Sequence, residues 1–171
     1  MSPQVELLTI EQDDWLTLGT DPAVFARDQQ LLLGDQVGSL REIGAATAAF
    51  LARAGGQSRW GSFLAVDAES RVVIGTCSFK GPPDADGAVE IAYYTLPVYE
   101  GQGYATAMAG LLTARAAAPP AARTVRAHTL PQHNASARIL QKLGFVHLGQ
   151  VLDPEDGPVW RWERTPAVLS V

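Results

Sequence analysis

Cysteine is almost missing: Cys77 is the only one in 171 residues, so no disulfide can form within the chain. Such usage fits a reducing, cytoplasmic compartment. Cys77 lies in the apolar run from Val72 to Phe79 and reads as a buried, inert thiol. Positive charge is also short, with 13 Lys and Arg against 18 Asp and Glu and a net charge of −5. A dedicated nucleic-acid binder carries a basic face, so no nucleic-acid partner is expected. Backbone amides can still hold a phosphate locally, whatever the net charge. No apolar run reaches the roughly 18 residues of a membrane span, and Met1 to Glu11 lacks the basic start and apolar core of a signal peptide. No membrane partner is expected either. Repeats and low-complexity tracts are absent. What remains is a chain with 47% hydrophobic and 18% charged residues, the composition of a globular protein. It is long enough to bury its own core as a single domain over residues 1–171.

Periodicity divides the chain. Val5 to Ile10 reads as a strand, and Asp21 to Gly34 as partly helical. Leu40, Ile43, Thr47, Phe50 and Leu51 recur at helical spacing until Gly55-Gly56, a run of roughly three turns. Trp60 to Val66 and Arg71 to Phe79 read as strands joined across Asp67 to Ser70, and Ala88 to Leu96 as a third. In that third strand Val89, Ile91 and Tyr93 share one face, with Glu90, Ala92 and Tyr94 on the other. A helix follows, with Tyr104, Met108, Leu111 and Leu112 as its stripe and Pro119-Pro120 as its stop. Thr124 to Thr129 is the next strand. Asn134 caps a helix carrying Ile139, Leu140 and Leu143 inward, with Gly144 at its end. Phe145 to Leu152 and Val159 to Glu163 form a closing hairpin. This order predicts an α/β fold: a mixed, mostly antiparallel sheet covered by helices. The passage from Ala88 to Thr129 should be a right-handed crossover between parallel strands.

Glu100-Gly-Gln-Gly-Tyr104 runs from the third strand directly into a helix. Glycine lets backbone turn tightly and approach a ligand, and the helix start adds unpaired N–H groups and a positive dipole end. Gly101, Gln102, Gly103, Tyr104 and Ala105 are placed to offer amides to a phosphate. The alternative is a plain strand–helix turn. The turn lacks the Gly-Lys-Ser/Thr ending of a P-loop and the glycine spacing of a dinucleotide fingerprint.

The stretch from Glu90 to Thr106 resembles motif A of the GNAT acetyltransferases, Arg/Gln-x-x-Gly-x-Gly/Ala, with Glu100, Gly103 and Ala105 at the first, fourth and sixth places. Thr129 to Phe145, with Asn134-Ala-Ser136 and Lys142-Leu-Gly-Phe145, is similar to motif B of the same family, in the branch containing ribosomal-protein N-terminal acetyltransferases. Ile74-Gly75 and Phe79-Lys-Gly-Pro82 fit that branch as well.

The resemblance implies the GNAT acyl-CoA N-acyltransferase fold and acetyl-CoA as cofactor. It implies that backbone near Leu96, Pro97 and Val98 pairs with the pantetheine arm, and that the pyrophosphate rests on the turn from Gly101 to Thr106. Asn134 would touch the arm, beside its capping role, and Arg138 would reach a phosphate; for Arg138 and Lys142 a solvated helix face is the alternative. The implied reaction is acyl transfer to the amine of a small molecule or protein N-terminus. Glu90 is the candidate general base, working through a water, and Ser136 the candidate near the sulfur. Glu100 departs from the family's first place, and Leu140 stands where many members carry a tyrosine. These departures keep open a non-catalytic acyl-CoA-binding or regulatory module; a small-molecule carrier of this fold without CoA is a third reading. Tyr93 and Tyr94 are candidates for the acceptor pocket, one of them for the core. His128 and His133 could titrate near neutral pH, and no metal cluster surrounds them, so no metal is expected. The apolar end of Thr165 to Val171 is read as a surface for a second copy, giving a homodimer.

Overall fold

The structure, a computed structural model, describes residues 2–56 and 58–166. Three helices follow a first strand: β1 (Val5–Leu8), α1 (Gln12–Thr20), α2 (Pro22–Gln29) and α3 (Val37–Ala54). Then come β2 (Ser62–Asp67), β3 (Val73–Phe79), β4 (Ala88–Thr95), a single 3-10 turn (Pro97–Tyr99) and α4 (Tyr104–Ala117). The chain continues through β5 (Thr124–Thr129), α5 (Ala135–Lys142), β6 (Val146–Asp153) and β7 (Gly157–Arg164). One seven-stranded sheet runs in the order β1-β2-β3-β4-β5-β7-β6. Every neighbouring pair is antiparallel except β4 and β5, which are parallel. The expected mixed, mostly antiparallel sheet and its parallel crossover are both present.

Two cores flank this sheet. One packs α4 and α5 against it through Phe63, Ile74, Val89, Ile91, Met108, Leu112, Val125, Leu140 and Trp162. The other packs α1 to α3 on the opposite face through Trp15, Leu18, Phe25, Leu40, Leu51, Leu64 and Val73. Trp162 is 1% exposed and donates its indole N–H to Thr129 Oγ1 at 3.0 Å, which satisfies the one polar atom of a large buried ring.

Several expectations need correction. The sequence pattern gave no separate helix before Asp21; α1 is there, opened by a capping box between Glu11 and Asp14. It buries only Trp15 and Leu18, too few positions to stand out in the sequence. Strand β1 stops at Leu8, two residues short of Ile10. Strand β2 starts at Ser62, and Trp60 instead packs edge-on to Phe79 with Arg59 over its ring. Strand β3 starts at Val73, because Arg71 adopts a φ of +61° that closes the turn. Helix α3 has 18 residues, five turns rather than three, and buries Leu40, Gly44, Ala48 and Leu51. Phe50 is exposed instead, since the buried stripe is centred on a close crossing with α1. A Cβ on Gly44 would lie 2.6 Å from the Gly19 nitrogen, so only glycine permits that approach. The proposed partner surface at the C-terminal end falls largely on residues 167–171, outside the described residues.

Candidate active site

Strands β4 and β5 pair over only three positions, Ala88↔Thr124, Val89↔Val125 and Glu90↔Arg126. Beyond them β4 runs on to Thr95 and β5 to Thr129 without pairing, so the sheet splays open. Backbone groups alternate sides along a strand. The Leu96 N–H goes to Ile74 O and the Glu90 carbonyl accepts from Lys80 N–H, both at 2.9 Å, so even-numbered residues of β4 point at β3. The backbone groups of Tyr93 and Thr95 therefore point into the gap. Leu96 is buried with its N–H and carbonyl both bonded, and the Pro97 carbonyl accepts from Glu100 N–H. Val98 is exposed, and its carbonyl accepts from the Gln102 side chain at 3.1 Å.

The gap opens on a cavity of about 530 Å³. Tyr93, Thr95 and Tyr99 line one side, the turn from Glu100 to Thr106 another, and Ser136, Arg138, Ile139 and Lys142 of α5 the third. The turn is built by glycine: φ is +72° at Gly101 and +89° at Gly103, the N-cap of α4. The first internal bond of α4 runs from Ala107 N–H to Gly103 O at 3.1 Å, so the amides of Tyr104, Ala105 and Thr106 precede it. Tyr104 is held by a 3.0 Å hydrogen bond from its hydroxyl to Asp67 Oδ2 in the β2–β3 turn. The helix end thus points a positive dipole at the cavity, and Arg138 and Lys142 add full positive charges to its wall. Glu100, an exposed carboxylate, is also on that wall.

Residues of this wall fit a phosphorylated, pantetheine-bearing ligand. Thr95 Oγ1 is buried and has no hydrogen-bond partner among the described residues, which is costly unless a ligand supplies one. Asn134 is the N-cap of α5, its Oδ1 accepting from Ala137 N–H at 2.9 Å, and lies outside the cavity lining. Leu140 is fully buried in the core, whereas Ile139 and Ser136 line the cavity. A tyrosine at position 140 would point into the core here.

A second cavity, of about 430 Å³, lies across the splay. Lys80, Glu90, Ala92, His128, Leu130 and Asp156 are among its lining residues. Tyr93 and Ser136 line both cavities. Burial pushes the Tyr93 phenol up to about 12, against the opposing effect of the nearby Ser136 hydroxyl. Neither tyrosine of the pair is a full core residue, since Tyr93 is half-buried and Tyr94 exposed. Glu90 Oε1 lies 2.7 Å from Lys80 Nζ and 2.9 Å from His128 Nδ1. Burial pulls the Lys80 ammonium pKa down, but the bond and charge of Glu90, with Asp153 and Asp156, leave it raised. His133 instead packs edge-on to Trp160, outside both cavities. Cys77 is buried in the core, where desolvation pushes its thiol up to about 12, partly opposed by the Arg115 charge. That suits an inert thiol.

Sequence reasoning did not single out Thr95 and Tyr99, which line the first cavity, or Lys80, which lines the second. Thr95 lay within the expected third strand, but nothing in its spacing marks an orphaned hydroxyl. Lys80 follows β3 directly and pairs with Glu90 only because β3 and β4 are antiparallel neighbours.

The geometry defines a class: an open sheet with a glycine-built helix start facing a cavity at its splay, and a second cavity sharing two hydroxyl-bearing residues. The GNAT acetyltransferase domain model matches residues 5–146. No curated protein matches the chain by sequence. Among solved structures, the ribosomal L7/L12 α-N-protein acetyltransferase RimL in complex with coenzyme A superposes with a TM-score of 0.66 at 16% identity, covering 98% of this chain and 97% of that one. The ribosomal-protein-S5-alanine acetyltransferase from Vibrio fischeri gives 0.63 at 17% identity, covering 100% and 97%. A dodecameric spermidine N-acetyltransferase from Vibrio cholerae gives 0.62 at 14%, covering 95% and 94%. The chain belongs to the GNAT acetyltransferase family and is an acetyl-CoA-dependent acyltransferase. Among the described residues no helix is long and apolar enough to cross a membrane.

Proposed function

We propose that this protein is a single-domain N-acetyltransferase that acetylates a primary amine, on a small molecule or a protein N-terminus, by direct attack in a ternary complex. The observation that carries this reading is the meeting of the two cavities at Tyr93 and Ser136. One cavity suits the cofactor and the other an acceptor, so the reacting atoms would come together at that shared wall. Acetyl-CoA supplies an acyl group activated as a thioester: a nitrogen–carbon bond forms, the carbon–sulfur bond breaks, and sulfur leaves as the thiol.

In this reading Gly101, Gln102, Gly103, Tyr104, Ala105 and Thr106 form the pyrophosphate turn, and Arg138 and Lys142 meet phosphate charge. The gap-facing backbone of Tyr93 and Thr95 takes the pairing role first expected of Leu96, Pro97 and Val98. Asn134 contributes by fixing the start of α5, and with it Ser136. Tyr93 holds a proton across the physiological range because its phenol titrates so high. Lining both cavities, it can protonate the departing thiolate. Glu90 belongs to the base side of the reaction. The acceptor classes are those of the structural neighbours, protein N-termini and spermidine.

The test is turnover of acetyl-CoA with a panel comprising spermidine and short peptides with free Ala or Ser N-termini, read by thiol release. Acetylation of at least one amine is expected. Acetyl-CoA binding with no amine acetylated would overturn the amine-acceptor reading.

Thr95→Val makes a sharper local prediction. Removing an orphaned buried hydroxyl with an isosteric methyl should raise stability by about 1 kcal/mol. The same change should weaken acetyl-CoA binding by about 5-fold if the ligand supplies the missing partner, close to the worth of one neutral hydrogen bond. Chemical denaturation and calorimetric titration would give the two opposite signs. Unchanged affinity would remove Thr95 from the cofactor wall.

A further inference from the structure

We infer that His128 is the group that takes the proton from the acceptor amine, and that Glu90 is a positioning residue acting through it. This rests on the acetyltransferase reading above and deepens it.

An ionised carboxylate can only accept hydrogen bonds. Glu90 Oε1, 2.9 Å from His128 Nδ1, therefore places the proton of the neutral imidazole on Nδ1 and leaves the lone pair on Nε2. His128 lines the acceptor-side cavity, where that lone pair is available as a base. Glu90 itself is poorly suited to the step. The same Oε1 is 2.7 Å from the Lys80 ammonium, so this oxygen is already engaged by two donors. It is well suited to fix the imidazole's tautomer and to stabilise the imidazolium once formed. Register brings the pair together. Glu90 is opposite Arg126 in the last paired step of β4 and β5, and His128, two residues on, shares that face where the strands part.

The other charges around His128 are accounted for. Arg161 is its cross-strand partner on β7 and is engaged by Glu163. Arg126, on the same face of β5, is held by Glu163 and Asp84. Asp153 of β6 acts on His128 through space, and Asp156 of the β6–β7 turn lines the cavity with Lys80.

The protons balance as follows. The incoming ammonium gives one proton to His128 Nε2, and its nitrogen forms the new bond to the carbonyl carbon as the carbon–sulfur bond breaks. Tyr93 gives its phenolic proton to the departing sulfur. The remaining excess proton on the nitrogen returns to the Tyr93 phenolate, and His128 discharges to water. One proton is released per turnover.

Two measurements test this. In the free protein, long-range ¹H–¹⁵N NMR of the histidine rings should show neutral His128 protonated on Nδ1, and Glu90→Gln should loosen that preference. A neutral ring protonated on Nε2 would overturn the inference without reference to any activity. In turnover, kcat/KM against pH with the fastest amine of the panel should show an acid limb carried by the imidazole. His128→Gln should lower kcat on the order of 100-fold and remove that limb, with acetyl-CoA affinity unchanged. Glu90→Gln should lower kcat less and keep that limb; this holds even if the His128 variant does not fold. Full activity in His128→Gln, or loss of the limb in Glu90→Gln, would make the carboxylate the base. Absence of turnover in the wild type, by contrast, would be failure of the acetyltransferase reading itself, while the NMR result would still decide the tautomer.

Discussion

Gly103→Trp is expected to lower acetyl-CoA affinity at least 100-fold, about 2.7 kcal/mol, while leaving the circular dichroism spectrum of the fold intact. Two effects act together. Gly103 holds a φ of +89° at the N-cap of α4, a left-handed conformation that costs a residue with a Cβ about 1–2 kcal/mol. A Cβ there would also lie 3.2 Å from Pro3 Cδ, so the large indole must displace either the N-terminal segment or the turn. Relief through the turn re-aims the amides of Tyr104, Ala105 and Thr106, the groups a pyrophosphate needs. Calorimetric titration of both proteins with acetyl-CoA measures the effect. Affinity within 3-fold of wild type would mean that the pyrophosphate does not rest on this turn, and the cofactor-side assignment would have to move.

The same turn shows why some of the site was legible in the sequence and some was not. Gly101 and Gly103 are local signals: each announces a backbone conformation other residues avoid, and the helix after them declares its own start. Asn134 is local in the same way, as a cap. The alternation in β4 correctly separated Val89 and Ile91, which are buried, from Glu90 and Tyr94, which are not. Which backbone groups at the end of β4 face the gap depends on which edge of β4 meets β3, a fact of sheet order. The contacts of Lys80 and His128 with Glu90 are likewise products of register among β3, β4 and β5, and no spacing along the chain encodes them. The buried stripe of α3 was displaced for a related reason: Gly44 and Ala48 face the core because α1 packs there, and small residues carry little periodic signal. Glu100 and Leu140, the two departures from the family pattern, are better understood in three dimensions. Glu100 is an exposed rim group beside amides that do not depend on it. Leu140 is a core residue, and in the proposed reading the proton donor is Tyr93 on β4.

Gly75→Ala is expected to be the most damaging single-methyl change in the sheet, although Gly75 touches neither cavity. Gly75 pairs with Thr95 at the last rung of β3 and β4, beside the point where β4 leaves the sheet for the phosphate turn. A Cβ on Gly75 would lie 2.1 Å from the Tyr94 carbonyl oxygen and 3.1 Å from Thr95 Cα. Both are backbone atoms, so no side-chain rotation relieves the clash, and the two strands must separate at this rung. Overpacking of this kind costs roughly 3 kcal/mol, and for a chain of 171 residues each kcal/mol lowers the melting temperature by about 2–4 °C. The displaced atoms are those that aim the backbone of Tyr93 and Thr95 into the gap. Acetyl-CoA affinity should therefore fall together with stability, whereas a core truncation remote from β4, such as Leu18→Ala, should lower stability and leave affinity alone. Thermal denaturation and calorimetric titration of the two variants separate these outcomes. A Gly75→Ala protein as stable as wild type would show that the rung has room that the described backbone does not have. A destabilised protein with full affinity would show that the cofactor takes its alignment from α4 and α5 alone.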